Sequence, residues 1–221
     1  MIKYSMIYRC YLIRYIRCSA VIALVLVSRL AVAGVYEDML NAVKRDDAPA
    51  VNQLLKRGVD ANTVDPDGNP LLLLAIKESS FGAVKALLGA RPALNARNAH
   101  GESALMLAAL NGHLEVVRQL LVQGAEVNPA EGWTPLMYAG VKGNVEISRL
   151  LLAYGARVNA AADNGFTALM MAAREGHREL VALLLAHNAD PNIQSNGGVT
   201  AISAAQQRKD IVELLLKAGA Q

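Results

Sequence analysis

Cysteine is nearly absent from this 221-residue sequence, and both cysteines, Cys10 and Cys18, lie in the first 33 residues. The rest of the chain can therefore form no disulfide bond and no thiolate site, so packing of apolar side chains must supply its stability. Aromatic residues are also few, at 5%, whereas alanine, leucine and valine dominate an apolar fraction of 53%. This composition favours closely packed helices over an aromatic-rich sheet.

Acidic residues are missing from residues 1–33, which hold five of the 22 lysines and arginines. Subtracting those five leaves 17 basic residues against 19 acidic ones, a net charge of −2 for residues 34–221. A domain with this balance has no positive field that favours nucleic acid. The net charge of +3 for the whole sequence therefore originates in its first segment.

A hydrophobic run long enough for a membrane span is missing too. Only 11 uncharged residues run from Cys18 to Ser28, against roughly 20 needed to cross a bilayer. Basic residues precede this run, and Ala31-Val32-Ala33 follow it before Gly34. This order is typical of a secretory signal peptide cleaved after Ala33. We therefore expect residues 1–33 to direct export, to a bacterial periplasm, and residues 34–221 to form the mature domain. An uncleaved inner-membrane anchor with a periplasm-facing domain is the alternative.

Paired leucines recur through the remaining sequence with spacings of 33, 33, 31, 33 and 31 residues, at 54–55, 87–88, 120–121, 151–152, 184–185 and 215–216. Single glycines keep the same register at 68, 101, 132, 165 and 198. A fixed period of this kind indicates one supersecondary unit copied along a solenoid. The predicted units cover residues 35–66, 67–99, 100–130, 131–163, 164–196 and 197–221.

Each unit is predicted to contain two helices. In the fourth unit, Thr134 is placed to cap the first helix, and Pro135 occupies its first position, where a missing N–H costs nothing. Gly143 ends this helix, and Gly155 ends the second helix because glycine accepts the left-handed conformation.

Residues Gly132–Asn159 and Gly165–Asn192 carry Gly-x-Thr-x-Leu, Gly followed by His or Asn, Leu-Leu, and an Ala-x-x-Asn ending. This pattern resembles the ankyrin repeat, and the resemblance covers about residues 35–221. It implies an all-α solenoid of antiparallel helix pairs with short β-hairpin fingers between them. It also implies a non-catalytic module, monomeric and without a cofactor, that binds another protein through its fingers and concave face.

One departure from the family concerns the histidine of Thr-Pro-Leu-His, which is replaced in units two to six by Leu73, Met106, Met137, Met170 and Ser203. The family position is buried, so we expect these methionines to fill the core. Binding of a soft metal by the thioethers of an exported protein is the alternative from another class, together with an enzymatic role. No histidine has the spacing of a metal ligand or of a nucleophile's partner.

Two further departures are local. Leu121 and Gly132 are 11 residues apart, whereas the other leucine-to-glycine intervals are 13. The finger between units three and four is therefore shortened, within Glu126–Glu131, next to Trp133, the only tryptophan. Arg91-Pro92 stand where the family has Gly-Ala, so we expect the second helix of unit two to end less regularly.

Two sets of residues are candidates for partner binding. The fingertip positions are Asn69, Glu102, Trp133, Phe166 and Val199, of which the last three would form a semi-apolar ridge beside Tyr138. The ends of the first helices bring Asn111, Lys142, Arg174 and Glu175 to the border of the concave groove. Their mixed charges argue against a strongly acidic or strongly basic partner. The competing interpretation is that the rings pack on neighbouring fingers and the charges are only solvated.

Overall fold

The computed structural model describes residues 34–206 and 208–221, so the predicted signal peptide lies outside the described residues. The described part contains twelve helices in six antiparallel pairs, which we number as repeats one to six. The helices are α1 (34–44), α2 (Ala48–Lys56), α3 (Leu71–Lys77), α4 (Phe81–Gly89), α5 (Ala104–Asn111), α6 (Leu114–Val122), α7 (Pro135–Lys142), α8 (Val145–Ala153), α9 (Ala168–Glu175), α10 (Arg178–Ala186), α11 (Ala201–Ala205) and α12 (Lys209–Lys217).

The helices form two layers, which confirms the predicted all-α solenoid. The first helices of repeats two to six, α3, α5, α7, α9 and α11, pack side by side in one layer. The second helices form the other layer, and each packs against the first helix of its own repeat. Within residues 34–206 and 208–221, none of the helices has the length and apolar character needed to cross a membrane.

The helix starts follow the predicted caps. The hydroxyl groups of Ser103, Thr134, Thr167 and Thr200 each accept a hydrogen bond from the N–H three residues later. Each such cap is worth about 1 kcal/mol. Pro135 occupies the first position of α7, as predicted.

The end of α4 differs from expectation. This helix has nine residues, like the second helices of the other repeats, because Arg91 adopts the left-handed conformation (φ 54°) usually taken by glycine. What is lost is one hydrogen bond. In repeat three the Ala125 N–H donates to the Leu120 carbonyl at 2.9 Å, and Pro92, at the equivalent position, has no N–H to donate.

The methionines at the family's histidine position are buried, with Met106 2%, Met137 0% and Met170 1% exposed. Two of them also accept a hydrogen bond. The Ser103 N–H donates to the Met106 sulfur at 3.3 Å, and the Thr134 N–H to the Met137 sulfur at 3.5 Å.

The two residues at this position that are not methionine also match the hydrogen-bonding requirement of the capping residue. In repeat six, Ser203 Oγ accepts the Thr200 N–H at 2.8 Å. In repeat two the capping residue is Pro70, which has no N–H, so Leu73 leaves no donor without a partner. The side chain three residues after Ser103, Thr134 and Thr200 therefore accepts the N–H of the capping residue, whereas Met170 is buried without this bond.

Successive repeats are joined by one asparagine each. Its side-chain oxygen accepts a backbone N–H of the next repeat at 2.7 to 2.9 Å. The donor and acceptor pairs are Ala93 to Asn62, Glu126 to Asn95, Arg157 to Asn128, Asp190 to Asn159 and Gln221 to Asn192. These bonds fix the register of one repeat on the next.

The asparagine positions locate the shortening of the finger. Three fingers contain an antiparallel bridge, between Val64 and Pro70, Arg97 and Ser103, and Ala161 and Thr167. In the third-to-fourth connection Asn128 is directly followed by Pro129, whereas two residues separate the equivalent positions elsewhere, for example Ala96 and Arg97. One of the two missing residues is the one that forms the bridge. Within the described residues, the shortened finger has no bridge, and neither does the full-length finger at 192–200.

The finger that carries Gly165 is in tight contact with the next finger. Comparison of Gly165 with the equivalent Gly132 shows this. Gly165 and Gly132 are equivalent and left-handed, with φ of 79° and 76°. A Cβ on Gly165 would lie 2.8 Å from the Asn196 nitrogen, whereas a Cβ on Gly132 would meet nothing within 4 Å.

We expect Gly132→Ala to lower the free energy of unfolding by about 1 kcal/mol, the cost of a left-handed alanine. Gly165→Ala should cost about 1 to 3 kcal/mol more, because it also displaces backbone. Urea unfolding of the two variants measures the difference. Equal losses would show that the two fingers are not packed as described.

Candidate functional site

A groove near the predicted site lies between repeats two and three, where two fingertips face the first helices α3 and α5. Its volume is about 580 Å³. Three of the predicted binding residues, Asn69, Glu102 and Asn111, line it together. The full lining consists of Asp67, Asn69, Leu73, Lys77, Asn98, His100, Glu102, Leu107, Leu110 and Asn111.

Each fingertip beside the groove is held by a side chain at its base. Asp65 Oδ1 accepts the N–H groups of Asp67 at 2.9 Å and Asn69 at 2.8 Å. Asn98 Oδ1 accepts those of His100 and Glu102, both at 3.0 Å. The fingertips are therefore fixed before any partner arrives.

The same hydrogen bonds set the ionisation of Asp65. Burial of its side chain raises the pKa, but hydrogen bonds from the side chain and N–H of Asn69, the N–H of Asp67 and the nearby charge of Lys44 outweigh it. The pKa of Asp65 therefore lies below its usual value. The carboxylate stabilises the fold at neutral pH, and this contribution is lost as the pH falls below about 3.9 through the lowered pKa.

A hydrogen-bond chain connects the two fingertips to repeat four. Asn98 Nδ2 donates to Asn69 Oδ1 at 3.3 Å and to Glu102 Oε2 at 2.9 Å. The Tyr138 hydroxyl donates to Glu102 Oε1 at 3.3 Å. Both oxygens of Glu102 are thus oriented by neighbours, one from its own finger and one from repeat four.

The environment of Tyr138 opposes its ionisation. Partial burial, the negative charge of Glu102 and the hydrogen bond to that carboxylate together raise the pKa of Tyr138 to about 12. The phenol is therefore a neutral donor at neutral pH.

Trp133 contacts Tyr138, with ring centroids 5.4 Å apart and an interplanar angle of 56°. Both rings are half-buried and also pack against the core. Phe166 instead lies beneath the Arg174 guanidinium, 5.9 Å from the ring centroid. Arg174 in turn pairs with Glu175 at 3.0 Å. Among the described residues, Trp133 and Phe166 do not form a ring pair with each other.

The structure therefore divides the predicted residues into two groups. Trp133 and Tyr138 adjoin the groove residues Asn69, Glu102 and Asn111 through the contact with Glu102. Phe166, Arg174 and Glu175 form a separate cluster on repeat five. Lys142 is exposed at the end of α7, and the Val199 N–H donates to Ser195 Oγ at 3.0 Å.

Behind the shortened finger is a second cavity, of about 430 Å³. Pro129 and Ala130 form one side of it, and Asn159, Ala160 and Ala161 of the next finger form the other. It lies where the missing bridge residue would continue the row of fingers.

Asp67, Asn98 and His100 line the groove but were not among the predicted site residues. A signal for Asn98 exists in the sequence, because Asp65 and Asn98 each precede a fingertip residue by four positions. Short polar side chains at this distance bind the backbone of a turn. Within residues 34–206 and 208–221, no three His, Cys, Asp or Glu side chains are grouped as a metal site.

Comparison with known proteins gives the same class as the geometry. A family model described as "Ankyrin repeats (3 copies)" matches residues 39–131, 79–162, 119–195 and 161–221. Together these matches cover most of the sequence, so the chain belongs to the ankyrin-repeat family.

Solved ankyrin structures match most of the chain. An ankyrin repeat domain from Acinetobacter baumannii is 31% identical with a TM-score of 0.74, covering 83% of this chain and 98% of that one. The human ASB11 ankyrin repeat domain is 25% identical with a TM-score of 0.75, covering 83% and 84%.

Curated relatives match only in part. Alpha-latroinsectotoxin-Lt1a of Latrodectus tredecimguttatus is 34% identical over 39% of this chain and 6% of its own length. Ankyrin repeat and SOCS box protein 2 of Bos taurus is 33% identical over 41% of this chain and 14% of its own length. The chain thus spans less than a fifth of these two relatives.

The contact between Glu102 and Tyr138 should be visible in the pH dependence of tryptophan fluorescence. Trp133 is the only tryptophan, and a tyrosinate this close would quench its fluorescence. We expect the quenching to have a midpoint near pH 12 and to move toward the ordinary value of about 10 in Glu102→Gln. Because an unfolded tyrosine ionises near pH 10, this phenol also lowers the stability of the fold between about pH 10 and 12.

Tyr138→Phe is the control for this titration, since it removes the ionising group and keeps the ring. Circular dichroism at each pH shows whether the chain is still folded. A midpoint that is unchanged in Glu102→Gln, or quenching that persists in Tyr138→Phe, would contradict the assignment.

Proposed function

We propose that this chain is a non-catalytic module that binds a partner protein outside the cytoplasm, through the fingers and concave face of repeats two to four. Ankyrin-repeat domains are in general protein-interaction modules. The observation that carries the proposal is the groove between repeats two and three, where fixed polar fingertips and exposed first-helix residues converge.

The surface around the groove has the features of a binding site rather than of a packed core. Asn111 and His100 are exposed at its rim, while Leu73 and Leu107 are buried at its base. A polar rim around an apolar floor is the usual arrangement of a recognition site. The adjoining Trp133 and Tyr138 are of the residue types that most often dominate binding energy.

Site-specific crosslinking tests which face binds. A photoreactive phenylalanine analogue is introduced at Asn111, at the groove, or at Arg118, which is exposed on α6 in the other helix layer. We expect the Asn111 variant to crosslink to a discrete partner when the full chain is expressed in a bacterium and irradiated. The Arg118 variant should give no such product, because its side chain points away from the groove.

Both positions are exposed, so neither variant should change the melting temperature, which is measured as a control. Adding Trp133→Ala to the Asn111 variant should reduce the crosslinked product. Equal crosslinking from both positions, or crosslinking only from Arg118, would overturn the proposed binding face.

Export is supported by the basic residues, short apolar run and Ala31-Val32-Ala33 of the first segment. Mass spectrometry of the periplasmic fraction should find a mature chain that begins at Gly34. Ala33→Leu should block processing, because signal cleavage needs a small residue at this position, whereas Val32→Leu should be processed normally. Wild-type protein of full length in the membrane fraction would favour the anchored scaffold instead.

A further inference from the structure

Two carboxylates line the groove between repeats two and three, and neither forms an ion pair within the described chain. Ion pairs within residues 34–206 and 208–221 join Arg97 to Glu126, Arg118 to Glu115, Arg174 to Glu175 and Arg178 to Asp210. Neither Glu102 nor Asp67 takes part in any of them, although both line the groove.

We propose that this groove receives an arginine side chain of the partner, with Glu102 as the principal acceptor of its guanidinium group. The proposal rests on the proposed binding function and specifies the chemistry of the bound side chain. It is compatible with the mixed charge of the concave face, because it concerns one side chain and not the charge of the whole partner.

The first argument is that the Glu102 carboxylate is already oriented before a ligand binds. Asn98 Nδ2 and the Tyr138 hydroxyl hold its two oxygens at 2.9 and 3.3 Å, and each oxygen keeps a second lone pair. An oriented carboxylate loses little conformational entropy on binding, so more of the interaction energy contributes to affinity. A guanidinium group matches such a pair of oxygens because its N–H groups form a planar fork.

The second argument is the surrounding chemistry. The half-buried Leu110 offers apolar surface for the three methylene groups of an arginine. Tyr138 contacts Glu102 through its hydroxyl group, and Trp133 packs on the Tyr138 ring. Aromatic rings favour guanidinium over the more strongly hydrated ammonium group of lysine. Both features favour arginine over a small inorganic cation.

The third argument is access. The finger that would follow the one carrying Glu102 is shortened after Asn128 and has no bridge. A finger that is two residues shorter covers less of the neighbouring finger, which leaves Glu102 more accessible to a partner segment from this side. Lys77 also lines the groove and acts against the proposed ligand. Its charge predicts that removing it strengthens binding.

The test uses the full chain and three capped tripeptides, Gly-Arg-Gly, Gly-Lys-Gly and Gly-citrulline-Gly. Citrulline has nearly the shape of arginine without its charge. Titrations are followed by NMR through the single Trp133 indole N–H signal and the side-chain amide signals of Asn69 and Asn98. We expect saturable shifts with the arginine peptide, weaker binding of the lysine peptide and no binding of the citrulline peptide.

Two variants should change the arginine affinity in opposite directions. Glu102→Gln keeps the shape of the side chain and should weaken binding about tenfold or more, whereas Lys77→Ala should strengthen it. Glu115→Gln, on α6, is the matched control and should bind like the wild type. Thermal melts of all three variants verify that they are folded.

Equal binding of arginine and citrulline peptides, no binding of either, or undiminished binding by Glu102→Gln would overturn the proposal. These results are distinct from failure of the proposed function. Crosslinking from Asn111 without arginine binding would leave the binding face in place and remove only the arginine. Crosslinking from Arg118 alone would remove both.

Discussion

Each repeat is joined to the next by an asparagine whose side-chain oxygen accepts a backbone N–H, as Asn128 accepts the N–H of Arg157 at 2.8 Å. Each bond contributes about 1 kcal/mol, but its geometric effect is larger than this energy suggests. It fixes where the next pair of helices begins relative to the last. Apolar burial alone would not do this, because hydrophobic packing has no direction. The finger contacts that create the groove all depend on this register.

Because Asn128 keeps its place in the series, the loss of two residues directly after it has only local consequences. Helices α7 and α8 stack as their equivalents do, while the finger has no bridge and a cavity lies behind Pro129. The shortening therefore alters the surface of the fingers without altering the stack of helices. This separation explains how a stack of similar repeats can acquire an individual surface at one position.

The sequence alone was sufficient for the helix pairs, for the cap at Thr134 and for the burial of Met137, because these follow from local pattern and period. It was not sufficient for the contact between Tyr138 and Glu102, which are 36 residues apart. Such contacts depend on the rise and rotation between repeats, which a period does not specify. Arg91 is a different case. An arginine in place of glycine predicts an irregular helix end. Arg91 nevertheless adopts φ 54°, and α4 keeps its length. The packing of the repeat therefore outweighs the local conformational preference of the residue.

The residues that follow each cap show how polar and apolar choices are coupled in this chain. A buried backbone N–H needs an acceptor, and the chain provides sulfur at Met106 and Met137, a hydroxyl at Ser203 and nothing at Leu73, where Pro70 has no N–H. Thioether acceptors satisfy the cap without a group that titrates near neutral pH, as histidine does. The layer of first helices therefore carries no group that titrates near neutral pH at these positions. At the fingertips, in contrast, Glu102 is held in place by a phenol and an amide and forms no ion pair within the described chain.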